Sequence, residues 1–219
     1  MAAHVSGRRV LLAGATGLVG REIMALLDAD PEVREVIALV RRPLLPARAG
    51  TKVRGEVVDF GRLDTYADLF HVDQVFCALG TTIRAAGSEA TFRRVDLEYP
   101  ARLATLGSAG GASHYLLVSA LGADDTSRVF YNRVKGELEE IVKGIGYRSV
   151  TIARPSLLAG DRDEFRLGEV IASKLSLLIP PRWKPVHARQ VARALVNASQ
   201  QDAPGTRVLE NRQLRAMPS

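Results

Sequence analysis

Two side chains four residues apart, Tyr131 and Lys135, have the types and the spacing needed for proton transfer. Residues i and i+4 of a helix lie on one face, so the ammonium group of Lys135 would lie near the phenol of Tyr131. A nearby positive charge favours the phenolate and lowers the pKa of a tyrosine, which would make Tyr131 a general acid or base near neutral pH. Ser119 precedes Tyr131 by twelve residues and would hydrogen-bond the same substrate oxygen. These three residues are the predicted catalytic group.

The spacing of the pair is weak support when taken alone. With five tyrosines and five lysines, a chance Tyr-x-x-x-Lys is expected in about one sequence in ten of this composition. The context adds more. Ser119 ends an apolar run predicted as a strand (residues 114–119), and the pair lies on a helix predicted over residues 127–143. This order, a serine at a strand end and the pair on the following helix, favours a functional triad over a chance pair.

A glycine pattern near the start of the chain predicts where a cofactor would bind. The apolar run 9–13 is followed by Gly14, Gly17 and Gly20 in the spacing G-x-x-G-x-x-G, and then by an amphipathic stretch. Such a strand–turn–helix unit lets the backbone approach a phosphate, while the helix directs N–H groups and its positive dipole end at the same point. The alternative is an ordinary tight turn between strand and helix. The predicted contacts are Gly14, Thr16, Gly17, Leu18, Val19 and Gly20.

Two arginines predict which dinucleotide binds. Arg41 and Arg42 end the second predicted strand, about 20 residues after the glycine turn, where such folds place the residue that reads the adenosine ribose. An acidic residue there would favour NAD, whereas a guanidinium group suits a 2′-phosphate. The sequence therefore predicts NADP(H). The alternative is that both arginines merely extend into water.

Two further strand ends complete the predicted cofactor site. Asp59 and Phe60 follow the third predicted strand (residues 53–58), beside the expected adenine position; Asp59 is also a candidate helix N-cap, and the two roles are compatible. The fourth predicted strand (residues 74–79) ends in small residues, where the crevice of a parallel sheet opens. The predicted contacts there are Ala78, Leu79, Gly80 and Thr81. Tyr131 and Lys135 are predicted cofactor contacts as well, because Lys135 could also hold the nicotinamide ribose hydroxyls.

The alternation of strands and helices predicts an α/β fold, a doubly wound parallel sheet of the Rossmann type. All 219 residues are expected to form a single domain, with a small helical elaboration over about residues 156–205 on the substrate side. Helices are predicted over 89–106, 169–179 and 187–198, and a last strand over 206–210. Pro100 should kink or restart the first of these helices.

The composition of the chain limits which binding partners and which cellular location are expected. The net charge of +6 is spread along the chain and aromatic residues are only 5%, which argues against nucleic-acid binding. Cys77 is the single cysteine, so neither a disulfide framework nor a metal cluster is predicted. The first residues lack the layout of a signal peptide, and no apolar run approaches the roughly 20 residues of a membrane span. These features predict a cytoplasmic protein that does not associate with a membrane.

Together the motifs GATGLVG (14–20), Ser119 and YNRVKGE (131–137) resemble those of short-chain dehydrogenase/reductases. The phrases LVSALGAD (117–124) and RPSLLAGDR (154–162) are similar to the Tat-interacting-protein group of atypical members and its small bacterial relatives. The resemblance implies a Rossmann fold, NADP(H), and the catalytic roles given above. It also implies that the segment after the sixth strand packs near the nicotinamide, which adds Pro155, Ser156, Leu157 and Leu158 to the cofactor contacts.

One residue departs from the family pattern. Many members carry an asparagine on the helix after the fourth strand, which completes a proton relay, and here Asp96 stands near that place.

The expected function is an NADP(H)-dependent oxidoreductase, which passes hydride between the nicotinamide and a small carbonyl or alcohol. The loop 82–88 and the segment 160–184 are expected to line the substrate pocket, and the C-terminal part is small for a nucleotide-sugar epimerase. The alternative is an NADPH-binding regulator or redox sensor with little turnover, and either a monomer or a homodimer is expected.

Overall fold

The main sheet of the protein has seven parallel strands. In the computed structural model, residues 7–44, 50–159, 180 and 183–218 are described. The strands are β1 (Arg8–Ala13), β2 (Val33–Val40), β3 (Val53–Val57), β4 (Gln74–Cys77), β5 (His114–Val118), β6 (Ser149–Arg154) and β9 (Gly205–Glu210). Their order is β3-β2-β1-β4-β5-β6-β9, and each neighbouring pair is parallel. The predicted doubly wound sheet is confirmed, with a separate short pair of strands, β7 (Leu158–Ala159) and β8 (Val186–His187).

Helices cover both faces of this sheet. The described helices are α1 (Leu18–Ala29), a 3₁₀ segment (Phe60–Phe70), α2 (Ile83–Ala86), α3 (Glu89–Arg93), a π-helical turn (Arg94–Glu98), α4 (Tyr99–Ala109), α5 (Phe130–Gly144), α6 (Ala188–Gln201) and α7 (Asn211–Arg215). α1 and α6 pack on one face, whereas α4, α5 and the 3₁₀ segment pack on the other.

Strand β1 shows why the sheet is covered on both sides. Val10 and Leu12 belong to the core on the α1 and α6 side, and Leu11 and Ala13 belong to the opposite core; all four are fully buried. Successive residues of a strand point to opposite faces, so a strand between two helical layers must be apolar throughout. The short apolar run before the glycine turn therefore forms the centre of the sheet.

Helix α1 fixes the glycine turn against this centre. Ile23 and Leu27 lie four residues apart on one helix face and are fully buried against the sheet and α6. Burying side chains of this size contributes about 1.5–3 kcal/mol each. The helix ends at Ala29, and the following residue, Asp30, is bound by groups from other elements.

The helical stretch predicted over residues 89–106 contains an irregularity. It consists of α3, the π-helical turn and α4, and Pro100 lies in the first turn of α4, where its missing N–H is tolerated. The expected restart at this proline is thus present. The π-helical turn before it was not predicted, because hydrophobic spacing does not report a single inserted residue.

The C-terminal residues contribute more to the main layers than their sequence suggested. α6 packs against α1, and β9 extends the sheet by pairing with β6 in parallel. The predicted helix over 169–179 and most of the predicted pocket segment 160–184 lie outside the described residues. The short α7 follows β9 directly and was not predicted.

Candidate functional site

The predicted site residues meet at one edge of the sheet. They follow the carboxyl ends of β1, β2, β3, β4, β5 and β6, or lie on the first turn of α1 and the first two turns of α5. Because all these strands are parallel, their carboxyl ends share an edge. The direction of winding reverses between β1 and β4, and ligands of open α/β sheets bind in the crevice at such a point.

The glycine turn is closed tightly on this crevice. Gly14 has φ +88, and a Cβ there would collide with the backbone of Ala78 and come within 2.8 Å of the Leu79 nitrogen. A Cβ on Gly20 would collide with the Gly14 carbonyl oxygen. The two positions therefore require glycine, and the turn after β1 touches the turn after β4.

The first turn of α1 is open to an anion. Its N-cap, Gly17, is extended and provides no side-chain cap, and no acidic residue lies in the first turn. The N–H groups at a helix start lack partners within the helix, and the dipole makes this end positive. With the cradle formed by Gly14 and Gly20, these residues fit the diphosphate of a dinucleotide. Thr16 is exposed at the same turn, and Leu18 and Val19 begin the helix.

The ends of β2 and β3 carry the residues predicted to face the adenosine. Arg41 and Arg42 are both exposed immediately after β2. The Asp59 side chain accepts a hydrogen bond from the Gly61 N–H at 2.8 Å, so the predicted N-cap role is confirmed. Phe60 is buried, with its ring centroid 5.8 Å from that of Tyr99.

Lys135 is enclosed beneath the crevice. Its side chain is 4% exposed, and its Nζ lies 2.7 Å from the Asp96 Oδ1. The other oxygen of Asp96 accepts a hydrogen bond from the Thr81 N–H at 2.9 Å. Gly80 lies over this pair, since a Cβ there would come within 3.4 Å of Asp96 and 3.8 Å of Lys135. The turn after β4 and helix α5 are thus joined through one buried carboxylate.

The charge state of Lys135 is set by this environment. Burial alone would lower the pKa of Lys135, but the negative charge of Asp96, with smaller contributions from Tyr131 and Cys77, raises it above its usual value. The lysine is therefore an ammonium ion at neutral pH.

Tyr131 stands one helical turn before Lys135 on α5. Its side chain is partly exposed, and its ring centroid lies 5.5 Å from that of the buried Phe92. An aromatic neighbour at this separation fixes the plane of the phenol. The structure brings Tyr131 and Lys135 to the same edge as the glycine turn.

Ser119 directly follows β5, as predicted, and its hydroxyl is bonded to a buried carboxylate. It is 4% exposed, and its hydroxyl donates a hydrogen bond to the Glu139 Oε1 at 2.5 Å. Glu139 is fully buried and is held by the Arg154 guanidinium, with an Nη2–Oε2 distance of 2.6 Å. A buried carboxylate is a stronger acceptor than a neutral oxygen, which explains why the hydroxyl turns toward α5.

Sequence reasoning missed Glu139, although a signal was present. Tyr131, Lys135 and Glu139 recur at intervals of four and therefore lie on one face of α5. A charged residue that continues the face of two predicted site residues is a candidate for burial in the same region. Here it ties the ends of β5 and β6 to α5 through Ser119 and Arg154.

The segment after β6 is anchored on one side and open on the other. The Pro155 carbonyl accepts a hydrogen bond from the Leu121 N–H, and the Ser156 hydroxyl donates one to the Lys184 carbonyl at 2.7 Å. Leu157 is 66% exposed, and Leu158 begins β7. Of the segment predicted to line the substrate pocket, Gly160 to Ile179 lie outside the described residues.

The described residues contain no group of three or more His, Cys, Asp and Glu side chains placed to bind a metal ion. None of the described helices is long and apolar enough to cross a membrane.

Residues 10–208 match the NAD dependent epimerase/dehydratase family. Protein HTATIP2 of Rattus norvegicus is 37% identical over 198 residues, which cover 88% of this chain and 81% of that protein. The mitochondrial protein fmp52 of Emericella nidulans is 35% identical over 170 residues, 74% of this chain and 72% of that protein. The solved structure of MoeE5 with UDP-glucose and NAD superimposes with a TM-score of 0.73 at 20% identity, covering 92% of this chain and 75% of that one.

These relatives correct one expectation. The sequence predicted a cytoplasmic location, but the fungal relatives from Emericella nidulans and Candida albicans are named as mitochondrial proteins. The absence of a recognisable leader in the first residues was therefore an unsound basis for that prediction.

The resemblance stated from the glycine turn and from the Tyr131 region is confirmed over nearly the whole chain. The chain belongs to the NAD dependent epimerase/dehydratase family and, within it, to the atypical short-chain dehydrogenase/reductases of the HTATIP2 group.

Proposed function

We propose that the protein is an NADP(H)-dependent oxidoreductase that interconverts a small carbonyl compound and its alcohol. The observation that carries the proposal is the placement of Tyr131 one helical turn from the buried ammonium of Lys135, at the edge that also holds the glycine cradle. An acid–base group and a dinucleotide site at one crevice are the two requirements of hydride transfer with proton balance.

Different residues would bind the cofactor and transfer the proton. The first turn of α1, with Gly14 and Gly20 behind it, would hold the diphosphate. The bound nicotinamide supplies or accepts the hydride. Tyr131 would donate its phenolic proton to the oxygen of a carbonyl, or take it from an alcohol in the reverse direction. Lys135 would stabilise the phenolate that remains after donation.

The remaining predicted contacts keep their proposed roles at the rim of the cofactor site. Ala78, Leu79, Gly80 and Thr81 would flank the crevice after β4, and the segment 155–158 would lie near the nicotinamide. Ser119 is reassigned: its bond to Glu139 supports a role in fixing α5 against the sheet, so Tyr131 carries the proton step without it.

A preference for NADP over NAD is part of the proposal. Arg41 and Arg42 are exposed after β2 and therefore available to a 2′-phosphate. Bidentate guanidinium contacts discriminate a phosphate from a hydroxyl through charge and geometry together.

The experiment that tests the proposal is consumption of NADPH, and separately of NADH, against a broad panel of carbonyl compounds. We expect turnover with at least one class of carbonyl and a preference for NADPH. Tight binding of NADPH with no turnover across the panel would contradict the catalytic part and leave the binding part intact.

A second candidate is an NADPH-binding regulator, and one observation favours it. The hydroxyl of Ser119, the residue expected to assist Tyr131, donates its hydrogen bond to Glu139, so in this arrangement its proton is not offered to a substrate oxygen. A sensor needs the cofactor site but has no need for the phenol of Tyr131. Replacing Tyr131 separates the two candidates.

A further inference from the structure

Asn211, the first residue of α7, carries a buried amide that contacts two separate segments. The residue is 1% exposed. Its Oδ1 accepts a hydrogen bond from the Ser156 N–H at 3.0 Å, and its Nδ2 donates one to the Lys184 carbonyl at 2.9 Å. An asparagine amide has an acceptor and a donor side by side, so it can pair with a backbone N–H and a backbone carbonyl at once. Asn211 thus joins the segment after β6 to the segment before β8.

The start of α7 is itself fixed to the end of β6. Glu210, the N-cap of α7, donates its backbone N–H to the Gln213 Oε1 at 2.8 Å. The Glu210 carboxylate lies 3.2 Å from the Arg154 Nη1 at the end of β6. These contacts hold the backbone of Asn211 in place, so its side chain is a rigid point of attachment for the two segments.

The same two segments are bonded to each other at two further points. The Ser156 hydroxyl donates a hydrogen bond to the Lys184 carbonyl at 2.7 Å, so this carbonyl receives one bond from Ser156 and one from Asn211. The Leu157 carbonyl accepts a hydrogen bond from the Val186 N–H at 3.0 Å, where β7 and β8 begin to pair. The backbone of the segment after β6 is therefore held in place before any ligand binds.

These contacts lie on the nicotinamide side of the proposed cofactor site. The winding reverses between β1 and β4; the ends of β2 and β3 lie on one side of this point and the end of β6 lies on the other. A dinucleotide spans such a point, with one half on each side. Because the adenosine half is proposed to bind beside Arg41 and Arg42 after β2, Asn211 belongs with the nicotinamide half.

The two joined segments carry exposed apolar side chains on this held backbone. Leu157 is 66% exposed and Trp183 is 48% exposed. The Trp183 N–H donates a hydrogen bond to the Pro180 carbonyl at 2.9 Å. A flat ring that packs against side chains on a fixed backbone does not have to order that backbone when it binds.

We propose that Asn211 is a positioning residue for the nicotinamide half of the cofactor. By binding the Ser156 N–H and the Lys184 carbonyl, its amide fixes residues 155–158 in the conformation that receives the nicotinamide. The entropy cost of ordering this segment is then met on folding rather than on binding, which raises the affinity for the whole dinucleotide. The inference rests on the proposed place of residues 155–158 beside the nicotinamide.

The test compares the affinity for the whole cofactor with the affinity for its adenosine half. The Kd values of NADPH and of adenosine 2′,5′-bisphosphate, which has the 2′-phosphate but no nicotinamide, are measured by calorimetry for the original protein and for Asn211→Ala. NADPH should bind the variant at least about fivefold more weakly, the equivalent of one lost hydrogen bond, while the Kd of the bisphosphate stays within about twofold. If the original protein prefers NADH, then NADH and ADP form the corresponding pair.

Gln74→Ala is the matched control. Gln74 is 2% exposed, and its side chain also joins two segments, because it donates to the Ser199 carbonyl at 2.9 Å and accepts from Arg8 at 3.2 Å. It begins β4 and therefore lies at the opposite end of the strands from the site. Both alanine variants should be less stable in urea, but in Gln74→Ala the ratio of the two Kd values should stay within about twofold of the original.

Two results would overturn the proposal. The first is an unchanged ratio of the two Kd values in a folded Asn211→Ala protein, because a residue that only stabilises the fold gives that result. The second is a selective loss of NADPH affinity in Gln74→Ala as large as that in Asn211→Ala, because lowered stability alone would then explain the effect.

If Asn211→Ala fails to fold, Asn211→Asp takes its place. Aspartate has nearly the same size and keeps the acceptor for the Ser156 N–H, and the helix dipole favours a carboxylate at the first residue of a helix. It lacks the N–H group that binds the Lys184 carbonyl. The same selective weakening of NADPH is expected, and an unchanged ratio would overturn the proposal here too.

This comparison separates the inference from the proposed function, because it requires binding but no turnover. Failure of the carbonyl panel together with a selective loss in Asn211→Ala would refute the enzyme and keep the positioning role. Turnover together with an unchanged ratio would do the reverse. If the original protein bound neither NADPH nor NADH, both would be overturned.

Discussion

The two edges of the central sheet both bury charged residues, but they use them differently. At the amino edge, Arg8 binds the Asp30 carboxylate at 2.7 Å and also donates to Gln74 and to the Ser199 carbonyl. Gln200 adds a further hydrogen bond to Asp30 at 3.0 Å. Each of these contacts joins one structural element to another at that end of the sheet.

At the carboxyl edge, the buried charges stand behind an open crevice. The side chains of Lys135 and Asp96 are as deeply buried as that of Asp30. At the same edge, however, lie the glycine turn after β1 and the partly exposed phenol of Tyr131. Burial of charge therefore does not by itself mark a functional site. The distinguishing features are a backbone cradle that excludes side chains and a titratable group left accessible beside it.

The largest expected effect is on the glycine cradle. Gly20→Ala would drive a Cβ into the Gly14 carbonyl oxygen, so the turn must open or α1 must move. We expect a loss of about 3 kcal/mol or more in the free energy of unfolding, together with loss of NADPH binding.

Gly144→Ala is the matched control for that change. Gly144 is the last residue of α5, and a Cβ there would meet no atom of a neighbouring element within 4 Å in the described part of the chain. Alanine is also the better helix former by about 1 kcal/mol. Urea denaturation should show a lower free energy of unfolding for Gly20→Ala and a higher one for Gly144→Ala. Equal and small effects would mean that the turn is not tightly closed.

A substitution at the amino edge should lower the stability of the protein without changing its affinity for the cofactor. Asp30→Asn removes the charge facing Arg8, which we expect to cost about 2 kcal/mol of unfolding free energy. Because the site lies at the opposite end of the strands, the affinity for NADPH should be unchanged. A loss of affinity in a folded Asp30→Asn protein would contradict the separation of the two edges.

The same carboxylate predicts a pH dependence. Burial alone would raise the pKa of Asp30, but hydrogen bonds from Gln200 and the Glu32 N–H, with the charges of Arg8 and Lys52, lower it overall. Because folding lowers the pKa of Asp30, its carboxylate contributes stability that is fully present above the unfolded pKa of about 4 and is lost as the pH falls through the folded pKa. Urea midpoints between about pH 6 and pH 2 should therefore decline less in Asp30→Asn than in the original protein.

A smaller effect is expected at the end of β2, where it concerns specificity. Replacing Arg41 by Asp and Arg42 by Ala should weaken NADPH at least tenfold, about 1.4 kcal/mol, while NADH changes little or improves. Calorimetric titration with both cofactors measures the difference. Equal weakening of both would show that the arginines do not read the 2′-phosphate.

Local patterns predicted most of the fold, because its central strands are continuous apolar runs and its turns carry glycine. β1, α1 and the doubly wound parallel sheet followed from those signals. The π-helical turn around Asp96 did not, since one inserted residue widens a single apolar interval, Phe92 to Leu97, and one interval is too short a pattern to read from sequence. The parallel pairing of β9 with β6 also depends on contacts between residues far apart in the chain.

The candidate site was predictable in its members but not in their partners. Sequence placed Tyr131 and Lys135 on one helix, and both lie on α5. It could not show that the Ser119 hydroxyl would donate to Glu139. A serine side chain can point toward the crevice or toward α5 on the same backbone, and the sequence does not say which partner it meets. Competition between buried partners is decided by tertiary geometry.

The central claim is that Tyr131 transfers the proton, and one measurement tests it most directly. The rate of NADPH oxidation with the best carbonyl of the panel is compared between the original protein and Tyr131→Phe, with the Kd for NADPH measured for both. The account predicts a turnover lower by about 10²–10⁴ in the Phe variant, the usual contribution of general acid–base catalysis, and an unchanged Kd. Full turnover in Tyr131→Phe at the same Kd would contradict it.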